Sequence, residues 1–333
     1  MPYTLLQGGR RRRRRRAPAL LAVAALVAAV AATAFLLLGG HDGGGTRAKA
    51  PPPRAAGGLG LEPLAGGGTA PSPLAVRLEA GGDPVHTRFK AMPRSGLLFD
   101  ADTGRVLWRH QPTRVLPIAS LTKMMTALIV ADRLGPRARV PIRREALHYQ
   151  GSGVGLLPRG KRIRVETMLA GLLLPSGNDA AIALAQRAAG TVPKFVDAMN
   201  ARARRMGLVC TRFSSPHGFL DRGNHSCAGD LAAIARAVLR VPRLARIVRR
   251  REAVLPFPIK GGKLYLYNSN PLLRQGYRGL TGLKTGYTDA AGRCFVATAR
   301  RGAVTLGVVL LHSPDTARQA ARLLDRGFAV ERR

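Results

Sequence analysis

Up to about residue 240 the apolar residues of this chain recur at helical spacing, whereas beyond about residue 250 they come in short runs and alternations. A chain patterned in two such blocks has few ways to bury both, and a sheet carrying helices on its faces is the simplest. In the helical block, Leu121, Met124, Met125, Leu128 and Ile129 follow the i, i+3, i+4, i+7, i+8 rhythm of a buried helix, which should end near Leu134-Gly135-Pro136. Further helices are predicted from Glu166 to Leu174, stopped by Pro175; from Ser176-Gly177-Asn178-Asp179 to about Ala189; from Thr191 to about Met206; and from Gly229 to Leu239. The strand block comprises Ala253–Leu255, Leu264–Tyr267, Gly282–Lys284, Arg293–Ala299 and Val304–Leu311, with a last helix from Pro314 to Phe328. Ahead of the helices, Leu97–Asp100 and Val106–Trp108 flank Asp102-Thr103-Gly104 as a hairpin. The predicted class is mixed α and β.

The first helix carries unusual chemistry. Ser120 and Lys123 lie one turn apart at its start, so their side-chain ends can meet. A lysine beside such an apolar helix is costly unless it reaches water or a partner. Desolvation would favour its neutral amine, the form able to take a proton from a serine. Alone, Ser-x-x-Lys equally describes an N-cap serine with a snorkelling lysine.

The N-terminal region reads differently. Seven consecutive arginines at 10–16 precede Ala17–Leu38, 22 residues without a charge. At about 1.5 Å per residue that is roughly 33 Å of helix, enough to cross a hydrocarbon core. Residues 1–16 are therefore expected to be a cytoplasmic basic tail, 17–38 a transmembrane anchor, and the rest extracytoplasmic. A cleaved signal peptide is the alternative, since Ala32-Thr33-Ala34 is small-x-small, but Phe35-Leu36-Leu37-Leu38 is a poor cleavage flank. Residues 39–84, with Gly43-Gly44-Gly45, Pro51-Pro52-Pro53 and Gly66-Gly67-Gly68, read as a flexible linker, leaving 85–333 as the folded domain. The glycine runs lack the Gly-Lys-Ser/Thr ending of a phosphate loop.

The formal net charge of +36 suits an anionic environment. Aromatics at 5% argue against base stacking, and no nucleic-acid partner is expected. Three cysteines without a C-x-x-C pair offer no zinc site, and neither a metal nor another cofactor is expected. Cys210 and Cys227 are candidates for a disulfide in an oxidising compartment, and Cys294 for a small buried hydrophobe. Gln150-Gly151-Ser152-Gly153 approaches a nucleophile elbow but has Gln150 where a glycine is required, so a loop is expected. His217 is read as a structural loop histidine rather than a triad member.

Three motifs lie in order: Ser120-Leu121-Thr122-Lys123, Ser176-Gly177-Asn178 and Lys284-Thr285-Gly286. This set resembles the SxxK, S-x-N and KTG motifs of the serine penicillin-recognising enzymes. Pro175–Ala181, Gly282–Thr288 and Asn268-Ser269-Asn270 resemble in particular the low-molecular-mass D-alanyl-D-alanine carboxypeptidases, over roughly residues 95–312. The resemblance implies a β-lactamase/transpeptidase-like fold, an antiparallel sheet flanked by helices with an all-helical lobe. It implies the D-Ala-D-Ala end of the peptidoglycan stem peptide as substrate and β-lactams as covalent inhibitors. By the same resemblance Ser120 is the nucleophile, Lys123 its base and Ser176 a proton relay, while Asn178 holds Lys123 and a substrate amide. Lys284 and Thr285 would receive the terminal carboxylate, Gly286 would keep its strand open to close approach, and the N–H groups of Ser120 and Tyr287 would form the oxyanion hole.

Class A β-lactamases deacylate with a glutamate downstream of the second motif. Between Asp179 and Lys284 the only glutamate is Glu252, late and at a strand edge, so a bound β-lactam should leave slowly. Many relatives carry a further C-terminal β-domain and terminal anchor; this chain stops at Arg333 and is expected to use its N-terminal span instead. A D,D-endopeptidase, an idle wall-binding module and a membrane-tethered nucleic-acid binder are the other readings.

Overall fold

The structure, a computed structural model, describes residues 72–79, 81–219 and 223–332. The basic tail, the expected span at 17–38 and the linker up to residue 71 lie outside the described residues. Among the described residues no helix is long and apolar enough to cross a membrane.

The centre is a five-stranded antiparallel sheet built from β1 (Ser95–Asp100), β2 (Val106–His110), β9 (Leu280–Thr288), β10 (Gly292–Arg301) and β11 (Val304–Leu311), in the order β2-β1-β11-β10-β9. Its middle strands are apolar at nearly every position because both faces are covered. Along β11, Leu306, Val308 and Leu310 face one way, and Val309 and Leu311 face the other. The first set packs with Leu98, Phe295 and Ala297 against Leu323, Leu324 and Phe328 of the last helix, α9 (Thr316–Val330). The second set packs with Leu97, Phe99 and Val296 against the helical block.

That block contains α1 (Lys123–Arg133), α3 (Val165–Leu173), α4 (Asn178–Ala189), α5 (Val192–Arg205) and α6 (Ala228–Leu239), all close to the predicted spans. Shorter pieces, which the sequence pattern does not reveal, fill the connections: α2 (Arg144–Leu147), α7 (Pro242–Val248) and α8 (Pro271–Arg274). So do two small ladders, β3 (Leu116–Pro117) with β6 (His225–Ser226), and β4 (Arg139–Pro141) with β5 (Arg162–Arg164). β7 (Glu252–Pro256) and β8 (Lys263–Tyr267) were expected as sheet strands and instead form a separate hairpin.

The ordered domain also reaches further back than residue 85. Leu74, Val76 and Leu78 pack on the main core, and the Arg236 guanidinium donates to the carbonyls of Leu74, Ala75, Ala101 and Asp102 at 2.8–2.9 Å. Buried Arg236 thus satisfies itself by tying the incoming segment to the sheet. Cys210 and Cys227 form a disulfide, and Cys294 is buried as expected.

Candidate active site

Two elements meet where the helical block touches the edge of the sheet. Ser120 lies in a short 3-10 turn, Ala119–Thr122, which runs directly into α1. Ala119 takes a left-handed conformation (φ +47°), a strained state for a residue with a Cβ. Thr122 steadies the turn by donating its hydroxyl to Ala119 O at 2.9 Å. The turn lies against β9, and Gly286 permits this. A Cβ on Gly286 would stand 3.0 Å from Ile118 O and 3.2 Å from Ser120 N. That contact sets the Ser120 backbone N–H against β9 at Gly286, one residue before Tyr287.

Lys123 is completely buried, and its Nζ is 2.7 Å from Ser120 Oγ and 2.9 Å from His217 O. Burial pushes its pKa well below the ordinary lysine value; the positive charge of Lys284 adds to this and Asp179 opposes it. The amine is therefore set to accept the Ser120 proton.

The second motif forms the opposite wall. Ser176 is buried and left-handed (φ +72°), and its Oγ has no hydrogen-bond partner among the described residues. Ser176 also lines the cleft, where its hydroxyl can hydrogen-bond a group that enters. Asn178 opens α4, but it does not hold Lys123 as the resemblance implied. Its Nδ2 donates to Gln150 O at 2.5 Å, and its Oδ1 is unpaired among the described residues. The second partner of Lys123 is instead a carbonyl of the 214–218 loop, whose fold was not legible in the sequence. Asp179, next along, accepts from the N–H groups of Val154 and Gly155 at 2.9–3.0 Å. This fixes the 150–155 segment, which is a loop as expected, and places Ser152 on the cleft.

On β9, Lys284 is also buried, and burial lowers its pKa to about 7. Its Nζ donates to Thr285 O at 2.8 Å, behind the cleft wall rather than at its surface. The Thr285 hydroxyl, 2.7 Å from Ser269 Oγ, is the group that faces the cleft. Lys284 therefore supplies positive potential from beneath, with Thr285 as the direct contact. Tyr287 is 63% exposed at the rim.

Ser120, Ser176, Thr285, Gly286 and Tyr287 line one cleft of about 590 Å³, and Lys123, Asn178 and Lys284 sit just behind it. All eight residues singled out from the sequence thus converge. Missed were Ser152, Ser269 and the cations Arg274 and Arg293, which also line the cleft. Of these Ser269 stood in the quoted Asn268-Ser269-Asn270 stretch and Ser152 in the Gln150–Gly153 stretch read as a loop, while neither arginine stood in a motif. The His217 ring is no triad member: burial, aided by the Lys123 charge, lowers its pKa to about 4, and Nδ1 accepts from Phe219 N–H at 3.0 Å. Glu252 is exposed on β7 and does not line the cleft.

The chain is similar to known proteins. A D-alanyl-D-alanine carboxypeptidase of Bacillus subtilis, DacF, is 33% identical over 244 residues, covering 71% of this chain and 62% of its own length. A D-alanyl-D-alanine endopeptidase of Pseudomonas aeruginosa is 36% identical over 221 residues, 65% of this chain and 70% of that protein. The crystal structure of the Streptomyces K15 DD-transpeptidase superposes with a TM-score of 0.69 at 30% identity, over 73% of this chain and all of the other. The chain thus spans less than two thirds of the Bacillus protein. The family model described as D-alanyl-D-alanine carboxypeptidase, peptidase family S11, matches residues 85–315, and the chain belongs to that family.

Proposed function

We infer that the protein is a serine D-alanyl-D-alanine carboxypeptidase that removes the terminal D-Ala from peptidoglycan stem pentapeptides. The observation that carries this reading is the 2.7 Å contact between Ser120 Oγ and a fully buried lysine amine, facing a cleft with positive charge at its far wall. Ser120 Oγ attacks the carbonyl of the penultimate D-Ala, and its proton passes to Lys123 Nζ. The oxyanion sits between the N–H groups of Ser120 and Tyr287. Collapse breaks the C–N bond, and the leaving D-Ala amine takes a proton from Lys123, relayed by the unpaired Ser176 hydroxyl. Water then attacks the ester, giving its proton to the same lysine, and Ser120 is regenerated. Thr285, backed by Lys284, meets the terminal carboxylate, and Asn178 Oδ1 accepts from a substrate amide.

A β-lactam opens on Ser120 in the same way, but its amine stays tethered. With no glutamate among the residues lining the cleft, the acyl-enzyme persists. The chain is held to the outer face of the cytoplasmic membrane by residues 17–38, a reading supported by the arginine run before that apolar stretch. The test is to count free D-Ala released from a soluble pentapeptide and from a cross-linked dimer. Release from the pentapeptide that is lost in Ser120→Ala supports the carboxypeptidase. Cleavage of the dimer alone makes the protein an endopeptidase, and release from neither makes it an idle binder.

A further inference from the structure

The β7–β8 hairpin presents an unusual outer face. Its register pairs Val254 with Tyr265, Glu252 with Tyr267 and Pro256 with Lys263, so these side chains share one side of the ribbon. On the other side Ala253, Leu264 and Leu266 are buried in the main core, which holds the ribbon rigid. Val254, Tyr265 and Tyr267 are 52%, 59% and 65% exposed, and neither tyrosine hydroxyl has a partner among the described residues. Single exposed apolar residues are ordinary; three on one small rigid face mark a surface that meets something.

Two further observations say what. The hairpin runs by chain into the cleft wall: Tyr267 leads directly into Asn268, whose Nδ2 ties down Val248 O and Arg250 O at 3.1 and 2.9 Å. Ser269 follows, hydrogen-bonded to Thr285 in the cleft wall. The surroundings are also strongly positive, with Arg249, Arg250, Arg251, Lys260 and Lys263 against Glu252 between residues 249 and 263. A ring with an apolar face and a hydroxyl edge, set among cations, matches a wet polymer of neutral sugar rings whose attached peptides bear carboxylates. It matches a bilayer less well, because Val254 is the only aliphatic side chain among the three exposed apolar residues of the ribbon. Tyr267 is two residues from Ser269 in the cleft wall, at most about 7 Å of chain, whereas an extended five-residue stem spans about 17 Å.

We propose that the outer face of the β7–β8 hairpin, centred on Tyr265 and Tyr267, docks the glycan strand of polymeric peptidoglycan, with its cations meeting the carboxylates of neighbouring stems, and so selects polymer-borne stems over free peptides. This rests on the stem peptide being the substrate of the adjoining cleft. The test uses the full chain in detergent, with Tyr265→Ser/Tyr267→Ser as the variant and Lys260→Gln/Lys263→Gln as a second that leaves the aromatics intact. Four readings are taken: co-sedimentation with purified sacculi, co-sedimentation with phosphatidylglycerol vesicles, D-Ala release from sacculi, and D-Ala release from a soluble pentapeptide. The tyrosine variant should lose sacculus binding and polymer turnover by about fivefold or more, with soluble-peptide kcat/KM within about twofold of the parent. The lysine variant should weaken binding and flatten its salt dependence. Unchanged sacculus binding in the tyrosine variant overturns the proposal. So does loss of binding to phosphatidylglycerol vesicles with sacculus binding intact, which would make the face a membrane contact. If the parent releases no D-Ala from any substrate, the carboxypeptidase reading fails by itself, and co-sedimentation still decides the surface.

Discussion

A lysine can deprotonate a serine near neutral pH only if its own charge is made expensive, and in this protein burial does that. Lys123→Met keeps the volume and removes the base, so acylation by a β-lactam should fall by about 10²- to 10⁴-fold. Stopped-flow measurement of acylation checks this, and circular dichroism confirms the fold. Burial lowers the pKa of both lysines, but in the proposed mechanism they act in opposite protonation states, so their titrations move activity in opposite senses. Lys123 works as the neutral amine, so activity rises with pH through its lowered pKa. Lys284 works as the cation, so carboxylate recognition weakens as pH rises past about 7 in the free protein, and bound carboxylate moves that limb upward. The pH profile of kcat/KM should therefore be a bell. Lys284→Gln should lower it throughout and abolish the alkaline limb, while Lys284→Arg should shift that limb to higher pH. A Lys284→Gln profile that keeps its alkaline limb would assign that limb to another group.

At the scale of elements, the site is a joint between a helix start and an edge strand, and both sides of the joint can be tested. Gly286→Val would drive a branched side chain into Ile118 O and Ser120 N, displacing the nucleophile. A shift of that size costs on the order of 10² in acylation with little loss of stability, read by penicillin labelling beside a thermal melt. On the other side, the Cys210–Cys227 disulfide closes the segment that carries Pro216 O to Thr126 Oγ1 at 2.6 Å and His217 O to Lys123. Cys210→Ser/Cys227→Ser should cost about 3 kcal/mol in unfolding free energy. Because Lys123 then becomes wetter, the acid limb of the pH profile should move up, which a purely structural loss would not produce. Sequence periodicity located α1, α3, α4, α5, α6 and α9, because each buries a face at regular spacing. It did not show that β7 and β8 leave the main sheet, since alternation looks the same on a ribbon and a sheet. Nor could it place the His217 carbonyl, because a backbone group has no side-chain signature. The eight site residues were legible through their motifs; the route by which Asn178 is held, through Gln150 O, was not.

For the whole molecule, the net charge and the proposed N-terminal anchor would set where the chemistry occurs. A net charge of +36 on 333 residues favours association with an anionic envelope and should make adhesion to sacculi fall steeply with salt. Deleting residues 1–38 should move the protein from the membrane to the soluble fraction, while the remaining chain still acylates at the parental rate. Fractionation with fluorescent-penicillin labelling reads both. Label that stays in the membrane fraction after the deletion would refute the N-terminal anchor.

The serine–lysine pair is tested most directly by incubating the full chain with benzylpenicillin and mapping the adduct by mass spectrometry over time. The account predicts one adduct per chain on the peptide carrying Ser120, slow to hydrolyse, absent in Ser120→Ala and strongly slowed in Lys123→Met. An adduct on any other residue, or one that forms at the parental rate without Lys123, would contradict it.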